Sequence, residues 1–473
     1  MENKMILVLT ILAAWLRLYR LGPSLQFLGD QGRDALVMHR LLTSGDLPFI
    51  GPITSVGGFY LGPLYYYLMA PWLWLARFNP VGPAVATAIL GALTVPVLYW
   101  VGKKLFSHRV GLWAAGLYAL AYIPISETRS AWNPNLMPLA VLGILYGFYL
   151  ANYQNKPKGL LLAAVSLGAA LQLHYMIVFL APLIIWQVIL ARKHFRQLLA
   201  GLAILLVMML PLFLFEIKNN WLNVKGLSEF LGKHSYGSLD LWQVAKNTIG
   251  RSEQAIGMVL GFGRNFNLLR TWLTRAFLLG IVWLLARKPK QGLILSAVWL
   301  LSSIITLAVY QDNIYPHYLG FLFPMVFILT AAILAKLPKL FLPAFAVLFL
   351  YYNLPPVNVM LRQTGNLKNV AATAEYINQD IKTNHYDQVN LALIDGTRDY
   401  PAMNFRYFLT LTGTKILAID QYPQTQILYL ISPYPQTEIL AQPMWEIQAL
   451  LPAEVVESWE WPDRENIYKI KRL

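Results

Sequence analysis

The 473-residue sequence contains no cysteine and few charged residues. The absence of cysteine excludes disulfide bonds, thiol nucleophiles and zinc sites built from thiolates. Charged residues make up 13% of the chain, about half of the ~25% that is usual in soluble proteins. Hydrophobic residues make up 57%, and a soluble chain of this composition could not cover its own surface. The many aromatic residues exclude a disordered chain. The composition therefore favours a membrane protein.

Several short catalytic motifs are also missing. There is no Walker phosphate loop and no G-x-S-x-G nucleophile elbow. The seven histidines are scattered, and no two of them stand four residues apart as zinc-binding helices require. No internal repeat is visible. The sequence thus gives no support to P-loop nucleotide hydrolysis, serine hydrolysis or a histidine-based metal site.

Positive charge is concentrated in the apolar part of the chain. Residues 1–352 contain 28 Lys and Arg against ten Asp and Glu, whereas residues 353–473 contain ten against 13. A nucleic-acid partner would need a basic stripe on a soluble face, and none is visible. An excess of basic residues in the apolar part of a chain is typical of the cytoplasmic loops of a membrane protein. We therefore expect no nucleic-acid partner.

Eleven apolar segments approach the length of about 20 residues that a spanning helix needs. They are 5–21, 82–101, 110–126, 136–152, 159–174, 175–191, 197–215, 270–286, 292–310, 317–335 and 338–354. The basic residues lie in alternate short loops, which predicts an inner-membrane protein with a cytoplasmic N-terminus and an extracytoplasmic C-terminal part. The apolar segment Tyr60–Phe78 would break this alternation if it spanned, so we interpret it as interfacial.

The sequence predicts two domains. Residues 1–352 form an α-helical polytopic membrane domain with two large outer loops, 22–81 and 216–269. Residues 353–473 form an extracytoplasmic α/β domain, because short strands alternate there with amphipathic helices. The predicted helices and strands of this domain are Asn369–Lys382, Val389–Ile394, Ala402–Leu411, Lys415–Ile419, Gln426–Ile431, Trp445–Leu450, Val455–Trp461 and Asn466–Ile470.

The strongest candidate site is Gly29-Asp30-Gln31-Gly32-Arg33-Asp34, which follows the first span. If a helix begins here, Asp30 and Asp34 lie on one face with Arg33 beside them. A carboxylate at the outer membrane surface can act as a general base toward an acceptor. The alternative is that Asp30 only caps the helix and interacts favourably with its dipole.

A second candidate group lies in a short outer loop, Glu127 to Asn135. Arg129 could bind a phosphate oxygen, and Asn133 and Asn135 could orient a sugar hydroxyl. The alternative is a surface pair between Glu127 and Arg129 followed by an Asn-Pro turn.

A third group, which includes His317 and Tyr318, opens a helix at the outer surface. These two side chains could touch a lipid headgroup, although interfacial tyrosines commonly serve only as anchors. A hard divalent cation would fit Asp30 and Asp34 together with Glu127. The sequence indicates no other cofactor.

These motifs, in this order, resemble a known family. Arg17-Leu18-Tyr19-Arg20-Leu21-Gly22 closes the first span, and Phe27-Leu28-Gly29-Asp30-Gln31 follows it. Gly62-Pro63-Leu64-Tyr65-Tyr66-Tyr67 and then Arg129 to Asn135 come next. Over most of its length the chain resembles the GT-C glycosyltransferases of family 39 type, such as protein O-mannosyltransferases and the lipid A aminoarabinose transferase.

The resemblance implies a GT-C fold and places an Asp at the catalytic centre. The matching position is Asp30, although Gln31 follows it where the family often has Glu. Arg129 matches an arginine of the next outer loop, but Asn133 and Asn135 stand where a second carboxylate is common. Asp34 and Glu127 are candidates to replace that carboxylate.

The function predicted from these features is transfer of a monosaccharide from a polyprenyl-phosphate carrier in the membrane to an extracytoplasmic acceptor, with Asp30 as the base. The acceptor is a lipid, a glycan or a protein. The resemblance implies that a single displacement inverts the anomeric carbon. The leaving lipid phosphate needs positive charge. The outer cations available for it are Arg33, Arg129, Lys218, Arg251, Arg264 and Arg270.

Two alternatives belong to other classes of protein. A transporter or flippase of lipid-linked sugars would be expected to show inverted repeats, broken helices and ionisable groups in mid-membrane. A non-catalytic envelope assembly protein would use the C-terminal domain to recruit a partner.

Overall fold

A computed structural model gives the architecture of the chain. The residues it describes are 2–54, 58–233, 241–262, 267–310, 313–397, 399–460 and 466–473. Helices dominate the first three quarters of the chain, and all four strands follow residue 388.

The apolar part is built from helices that coincide with all of the predicted spans. They are α1 (Glu2–Leu18), α2 (Leu21–Ser24), α3 (Gly29–Ser44), α4 (Leu64–Leu75), α5 (Val81–Leu105), α6 (His108–Leu120), α7 (Tyr122–Glu127), α8 (Met137–Tyr153), α9 (Gly159–Leu173), α10 (Ala181–Leu190), α11 (Phe195–Lys218), α12 (Leu222–Lys233), α13 (Leu241–Val259), α14 (Asn267–Leu285), α15 (Gln291–Val309), α16 (Phe323–Leu334) and α17 (Phe341–Arg362). Short 3-10 helices lie at Asn133–Leu136, Tyr175–Leu180, Ala191–His194, Pro316–Phe321 and, later in the chain, Tyr422–Gln424.

Six helical stretches among the described residues are long and apolar enough to cross a membrane. They are Val81–Leu105, Asn133–Tyr153, Tyr175–Lys218, Leu268–Leu285, Gln291–Val309 and Phe341–Asn384, and shorter apolar helices lie at Gly159–Leu173 and Phe323–Leu334. The chain is therefore a multi-pass membrane protein.

Helix α4 is too short to cross a membrane alone. Its 12 residues extend about 18 Å at ~1.5 Å per residue. The hydrocarbon core of a bilayer is about 30 Å thick. This length agrees with the interfacial interpretation of the segment.

The described residues group into two compact units. The first comprises Met1–Leu21, Leu47–Trp72 and Gly82–Gln363, and the second comprises Gly22–Asp46, Leu73–Val81 and Thr364–Leu473. The predicted boundary after residue 352 falls inside helix α17, which continues to Arg362. Part of the first outer loop, including α3, groups with the C-terminal residues. The predicted two-domain division itself stays a prediction.

Small residues allow close packing in the first unit. A Cβ atom on Gly147 would lie 2.6 Å from the carbonyl oxygen of Gly159, and one on Gly159 would lie 2.4 Å from that of Gly147. The backbones of α8 and α9 therefore touch directly, as small residues permit in membrane helix pairs. The buried indole of Trp299 donates to the carbonyl of Phe321 at 3.2 Å.

The second unit contains a four-stranded sheet with helices packed near it. Its C-terminal elements are α18 (Leu367–Asn384), β1 (Val389–Leu393), α19 (Met403–Leu411), β2 (Ile427–Ser432), α20 (Gln436–Ile439), α21 (Trp445–Gln448), β3 (Ala453–Glu460) and β4 (Asn466–Arg472). The strand order is β1-β2-β4-β3. Strands β1 and β2 are parallel, whereas β4 is antiparallel to both β2 and β3. Buried side chains such as Leu428, Leu430 and Ile470 form the core.

One predicted strand of this domain is wrong. Residues 415–419 are irregular, although the backbone N–H of Leu417 donates to Val389 at 2.8 Å. The carbonyl of Leu417 instead accepts from the Arg406 side chain at 2.9 Å. Because a buried guanidinium takes this carbonyl, a continuous ladder beside β1 does not form.

Candidate active site

The glycines of the first-loop motif fit α3 against the start of α19 in the second unit. A Cβ atom on Gly29 would lie 2.1 Å from Cγ of Asp399. One on Gly32 would lie 2.4 Å from both N and Cα of Asn404. No larger residue fits either position without a shift of the neighbouring chain. The spacing of the two glycines therefore brings Asp30 close to a segment more than 360 residues later in the sequence.

The residues just before α3 are fixed by side-chain amides of the same unit. Asn366 accepts from the backbone N–H of Phe27 at 2.7 Å, and Asn404 donates to the carbonyl of Phe27 at 3.1 Å. The Gln31 side chain accepts from the N–H of Leu28 at 3.0 Å and so satisfies an N–H group at the helix start. This bond gives Gln31, the residue that departs from the family pattern, a capping role.

Arg33 joins the two carboxylates of the motif. Its Nη1 donates to Oδ1 of Asp30 at 2.8 Å, and its Nε and Nη2 contact Oδ1 of Asp34 at 3.2 and 3.0 Å. The side chain of Asp34 is 1% exposed, whereas that of Asp30 is 46% exposed. The predicted grouping of these three residues is therefore present. Asp34 is buried and orients Arg33, and Arg33 in turn holds an accessible Asp30.

Asp399 is a third carboxylate beside this motif, and the sequence analysis missed it. Its Oδ2 accepts from the N–H of Met403 at 2.8 Å, and its side chain packs over Gly29. Burial raises the pKa of Asp399 to about 7, the hydrogen bond from Met403 lowers it, and the nearby charge of Asp30 raises it further. The only sequence signal is its place in the turn after the buried strand β1, where functional side chains of parallel strands collect.

The second candidate group lies in the first unit, where its polar side chains mainly contact backbone. Nη1 of Arg129 donates to the carbonyls of Leu16, Arg17 and Tyr19, each at 3.0 Å. These oxygens belong to the end of α1, where backbone acceptors lack helical partners. The contacts favour a structural role for Arg129, and its predicted phosphate contact stays a prediction.

The two asparagines of this group also contact backbone. Asn133 donates to the carbonyl of Leu173. Asn135 donates to the carbonyls of Glu127 and Ser130. These bonds fix the turn, as the alternative interpretation of the Asn-Pro sequence expects. The predicted contact with sugar hydroxyls stays a prediction.

Glu127 and Arg270 line one cavity of about 290 Å³ within the first unit. The two side chains form no ion pair with each other in the part of the chain that the structure describes. Gln254 also lines the cavity and accepts from Arg251 at 3.2 Å. Tyr122 and Tyr352 supply aromatic surface. The structure therefore brings Glu127 and Arg270, which the sequence suggested separately, to one cavity, whereas Arg251 contacts the lining residue Gln254.

Close packing holds the side chain of Arg270, which lines this cavity. Its aliphatic part crosses Gly257, where a Cβ atom would lie 2.4 Å from its Cγ. Its Nε is buried, and no described residue accepts a hydrogen bond from it. A buried donor without a partner loses hydration without compensation. An anion placed in the cavity would supply that partner.

The third candidate group belongs to an aromatic cluster of the first unit. The ring of His317 lies 4.2 Å from that of Trp132 and 4.6 Å from that of Tyr318. Tyr318 is 5% exposed and also lies 5.2 Å from the ring of His174. These side chains pack against one another in an aromatic cluster. The predicted headgroup contact of His317 and Tyr318 stays a prediction.

Two of the predicted outer cations fall outside these groups. Lys218 is exposed in the last turn of α11. Arg264 lies outside the described residues.

The predicted divalent-cation site required Asp30 and Asp34 together with Glu127. No group of three or more His, Cys, Asp or Glu side chains is placed to hold a metal ion within the described ranges. The binding of a cation therefore has no structural support from these residues.

The chain resembles known membrane glycosyltransferases in both sequence and structure. Residues 61–215, about a third of the chain, match the family model described as dolichyl-phosphate-mannose-protein mannosyltransferase. The search of curated protein sequences returned no match.

Solved structures match over nearly the whole chain. ArnT from Cupriavidus metallidurans in the apo state matches with a TM-score of 0.60 and 14% identity over 99% of this chain and 97% of that one. The same protein bound to undecaprenyl phosphate matches with a TM-score of 0.58, again at 14% identity and the same coverages. The Archaeoglobus fulgidus oligosaccharyltransferase tethered with an acceptor peptide matches with a TM-score of 0.58 and 12% identity over 100% of this chain and 74% of that one.

At these identities the matches define the fold. The chain has the fold of the GT-C glycosyltransferases: a polytopic helical membrane protein with a small C-terminal sheet. The resemblance predicted from the sequence is confirmed.

Proposed function

We propose that this protein is a membrane glycosyltransferase that moves a monosaccharide from a polyprenyl-phosphate carrier to an extracytoplasmic acceptor. The proposal is supported by the fold likeness to ArnT, whose structure was solved with undecaprenyl phosphate. The family model matched by residues 61–215 describes an enzyme that uses a dolichyl-phosphate-linked mannose. Neither match specifies the sugar or the acceptor of this chain.

The observation that carries the proposal is the arrangement of Asp30, Arg33 and Asp34. A general base must be accessible to its substrate and held in position. Asp30 is half exposed, and Arg33 fixes one of its oxygens at 2.8 Å. The buried Asp34 orients that guanidinium in turn. A carboxylate that served only as a helix cap would not need this support.

In the proposed reaction Asp30 accepts the proton of the acceptor hydroxyl. The acceptor oxygen then forms a bond to the anomeric carbon of the sugar. The bond between that carbon and the phosphate oxygen breaks, and the polyprenyl phosphate leaves with the electron pair. Attack from the face opposite the leaving group inverts the anomeric configuration.

We propose separately that the cavity of the first unit binds a phosphate group of the lipid carrier. A phosphate oxygen there would accept from the buried Nε of Arg270. Such charge-assisted bonds are about twice as strong as neutral ones. Tyr122 and Tyr352 offer apolar faces beside it. A cation in this position would stabilise the negative charge of a lipid phosphate.

The proposal is tested by substituting Asp30→Asn in the full-length protein. Transfer from a panel of polyprenyl-phosphate sugars to membrane acceptors is measured with the purified enzyme. We expect the variant to lose about 100- to 10,000-fold in kcat, while donor binding persists. Asp46→Asn is the matched control, since Asp46 is an exposed carboxylate in the same loop.

Unchanged transfer by the Asp30→Asn variant would exclude Asp30 as the base. A failure of the unmodified protein to consume any donor, combined with movement of the lipid-linked sugar across the bilayer, would replace the enzyme by a transporter. Binding of an envelope partner without either activity would favour an assembly protein.

A further inference from the structure

The first unit contains a second cavity, of about 300 Å³, at the ends of several helices. Its walls come from the turn between α5 and α6, the turn between α14 and α15, and the end of α16. Apolar side chains, among them Phe106, Val110, Leu284, Leu293 and Ala332, form much of its lining. We call it the basic cavity because of the cations described next. Its volume is at the lower end of the range of about 300–1,000 Å³ that is usual for ligand pockets.

Five cationic side chains line the basic cavity, and no carboxylate does. They are Arg109, Arg287, Lys288, Lys290 and Lys336. Among the described residues, no Asp or Glu forms an ion pair with any of the five. Arg287 lies over the ring of Trp283 at 4.3 Å, which fixes its direction without neutralising it. The cavity therefore concentrates uncompensated positive charge.

The backbone adds to this preference for anions. Helix α15 begins at Gln291 beside the cavity, and no side chain caps its N-terminus. Helix α6 begins at His108, and its N-cap residue Ser107, which lines the cavity, accepts from the backbone N–H of Val110 at 3.3 Å. The N-terminus of a helix carries a partial positive charge and N–H groups without helical partners. The uncapped start of α15 therefore favours an anion in this pocket.

Helix packing holds the cavity open. A Cβ atom on Gly292 would lie 2.6 Å from the carbonyl oxygen of Leu105. The start of α15 is thus seated directly on the end of α5, next to the lining residues Phe106 and Leu293.

The distribution of positive residues between the two sides of a membrane explains why these loops are basic. It does not require that three separate turns place their cations around one apolar-walled pocket. A pocket with cations and apolar walls matches a ligand with a phosphate at one end and hydrocarbon at the other. Basic pockets between membrane helices on the cytoplasmic side bind the headgroups of anionic lipids.

We infer that the basic cavity binds the phosphate group of an anionic membrane phospholipid on the side of the bilayer that the sequence predicts to be cytoplasmic. This lipid is separate from the sugar donor, which the proposed reaction places at the outer face. The occupant would anchor the ends of α5, α14, α15 and α16 to one headgroup.

The inference is tested by native mass spectrometry of the full-length protein released from detergent. The added probes are phosphatidylglycerol, phosphatidylcholine with the same acyl chains, and inorganic phosphate. The test variant carries Lys288→Gln and Lys336→Gln. The control variant carries Lys104→Gln and Lys339→Gln, which remove the same charge from exposed positions outside the cavity.

We expect phosphatidylglycerol to stay bound to the unmodified protein and phosphatidylcholine to dissociate. Loss of the two cavity lysines should weaken phosphatidylglycerol binding tenfold or more, by roughly the amount that two cations contribute near an anionic surface. The control variant should keep its affinity. A second variant, Ala335→Phe, keeps every charge but places a ring in the cavity, and it should also lose the lipid.

Three results would overturn the inference. Equal retention of the two phospholipids would show that the headgroup charge is not recognised. Equal weakening in the control variant would show that general surface charge attracts the lipid. Binding of inorganic phosphate with the affinity of phosphatidylglycerol, and in competition with it, would assign the cavity to a soluble phosphate compound.

Discussion

Arg33 makes the two aspartates of the first-loop motif chemically different. Because Arg33 contacts both, Asp34 is neutralised in a buried position and Asp30 stays accessible with one oxygen held. The sequence spacing predicted that the three residues lie together. It could not predict which carboxylate is buried, because burial depends on tertiary packing.

Arg270 gives the first prediction at the residue scale. We expect Arg270→Gln to raise the KM for the lipid-linked donor about ten- to 100-fold, since a hydrogen bond to a charged group contributes about 1.5–3 kcal/mol. The measurement is initial-rate kinetics at varied donor concentration.

Arg275→Gln on the same helix is the control for Arg270. Arg275 is 52% exposed and pairs with Glu253 at 3.2 Å. Such an exposed pair contributes about 0–1 kcal/mol, so its loss should leave the KM nearly unchanged. A KM that rises equally in both variants would contradict the assignment of the phosphate to the cavity.

Asp399 gives a prediction about pH. Burial in the folded state raises its pKa from the ordinary value of 3.8 to about 7, so the folded protein binds this proton more tightly than the unfolded chain does. This carboxyl therefore lowers the free energy of unfolding as the pH rises from about 4 to 7. We expect Asp399→Asn to remove this loss of stability. The melting temperature of the variant should therefore fall less than that of the unmodified protein between about pH 4 and pH 7.

Asp420→Asn is the matched control for Asp399, because Asp420 is an exposed aspartate of the same unit. It should leave the pH dependence as it is in the unmodified protein. If Asp399→Asn shows the unmodified pH dependence, the carboxyl is not buried against Gly29 in solution. Asp399 could not be identified from the sequence, because its environment is made by tertiary packing.

At the scale of elements, the contact between α3 and α19 depends on a glycine. Gly32→Ala would bring a Cβ atom within 2.4 Å of backbone atoms of Asn404. Overpacking of this kind costs about 1–3 kcal/mol. We expect a lower melting temperature and, because α3 carries Asp30, a reduced kcat.

Gly116→Ala is the contrasting substitution for Gly32→Ala. Gly116 lies within α6, and an added Cβ atom there would meet nothing within 4 Å. Alanine has a higher helix propensity than glycine by about 0.8–1 kcal/mol, so this variant should be slightly more stable. Destabilisation of equal size in both variants would show that the close approach of α3 and α19 is not the cause.

The helices were more predictable than the strands. Long apolar runs identify the helices directly, and all eleven predicted spans contain helix. The segment 415–419 has a strand-like pattern, but the Arg406 side chain takes the carbonyl of Leu417. A competing side-chain donor of this kind lies 11 residues away and leaves no local signal. A single helix can be predicted from its local sequence pattern, whereas the pairing of a strand depends on residues elsewhere in the chain.

At the scale of the whole molecule, the basic loops predict the orientation. Since the chain has no cysteine, single cysteines can report it. We expect a cysteine introduced by Thr437→Cys to react with a membrane-impermeant maleimide in intact cells. One introduced by Gln154→Cys should react only after permeabilisation. Both positions are exposed. The reverse pattern of labelling would invert the predicted topology.

The contact between Phe27 and Asn404 joins residues that are 377 positions apart. During translation at about 5–20 residues per second, the segment around Asp30 emerges roughly 20–75 s before Asn404 exists. During this time the motif of α3 lacks its contact with α19, while most of the membrane helices are inserted. A polypeptide that stops before residue 404 would keep its apolar spans and its Asp30, yet lack the contacts that Asn404 makes with Phe27 and Gly32. The contact between α3 and α19 can therefore form only when synthesis is nearly finished.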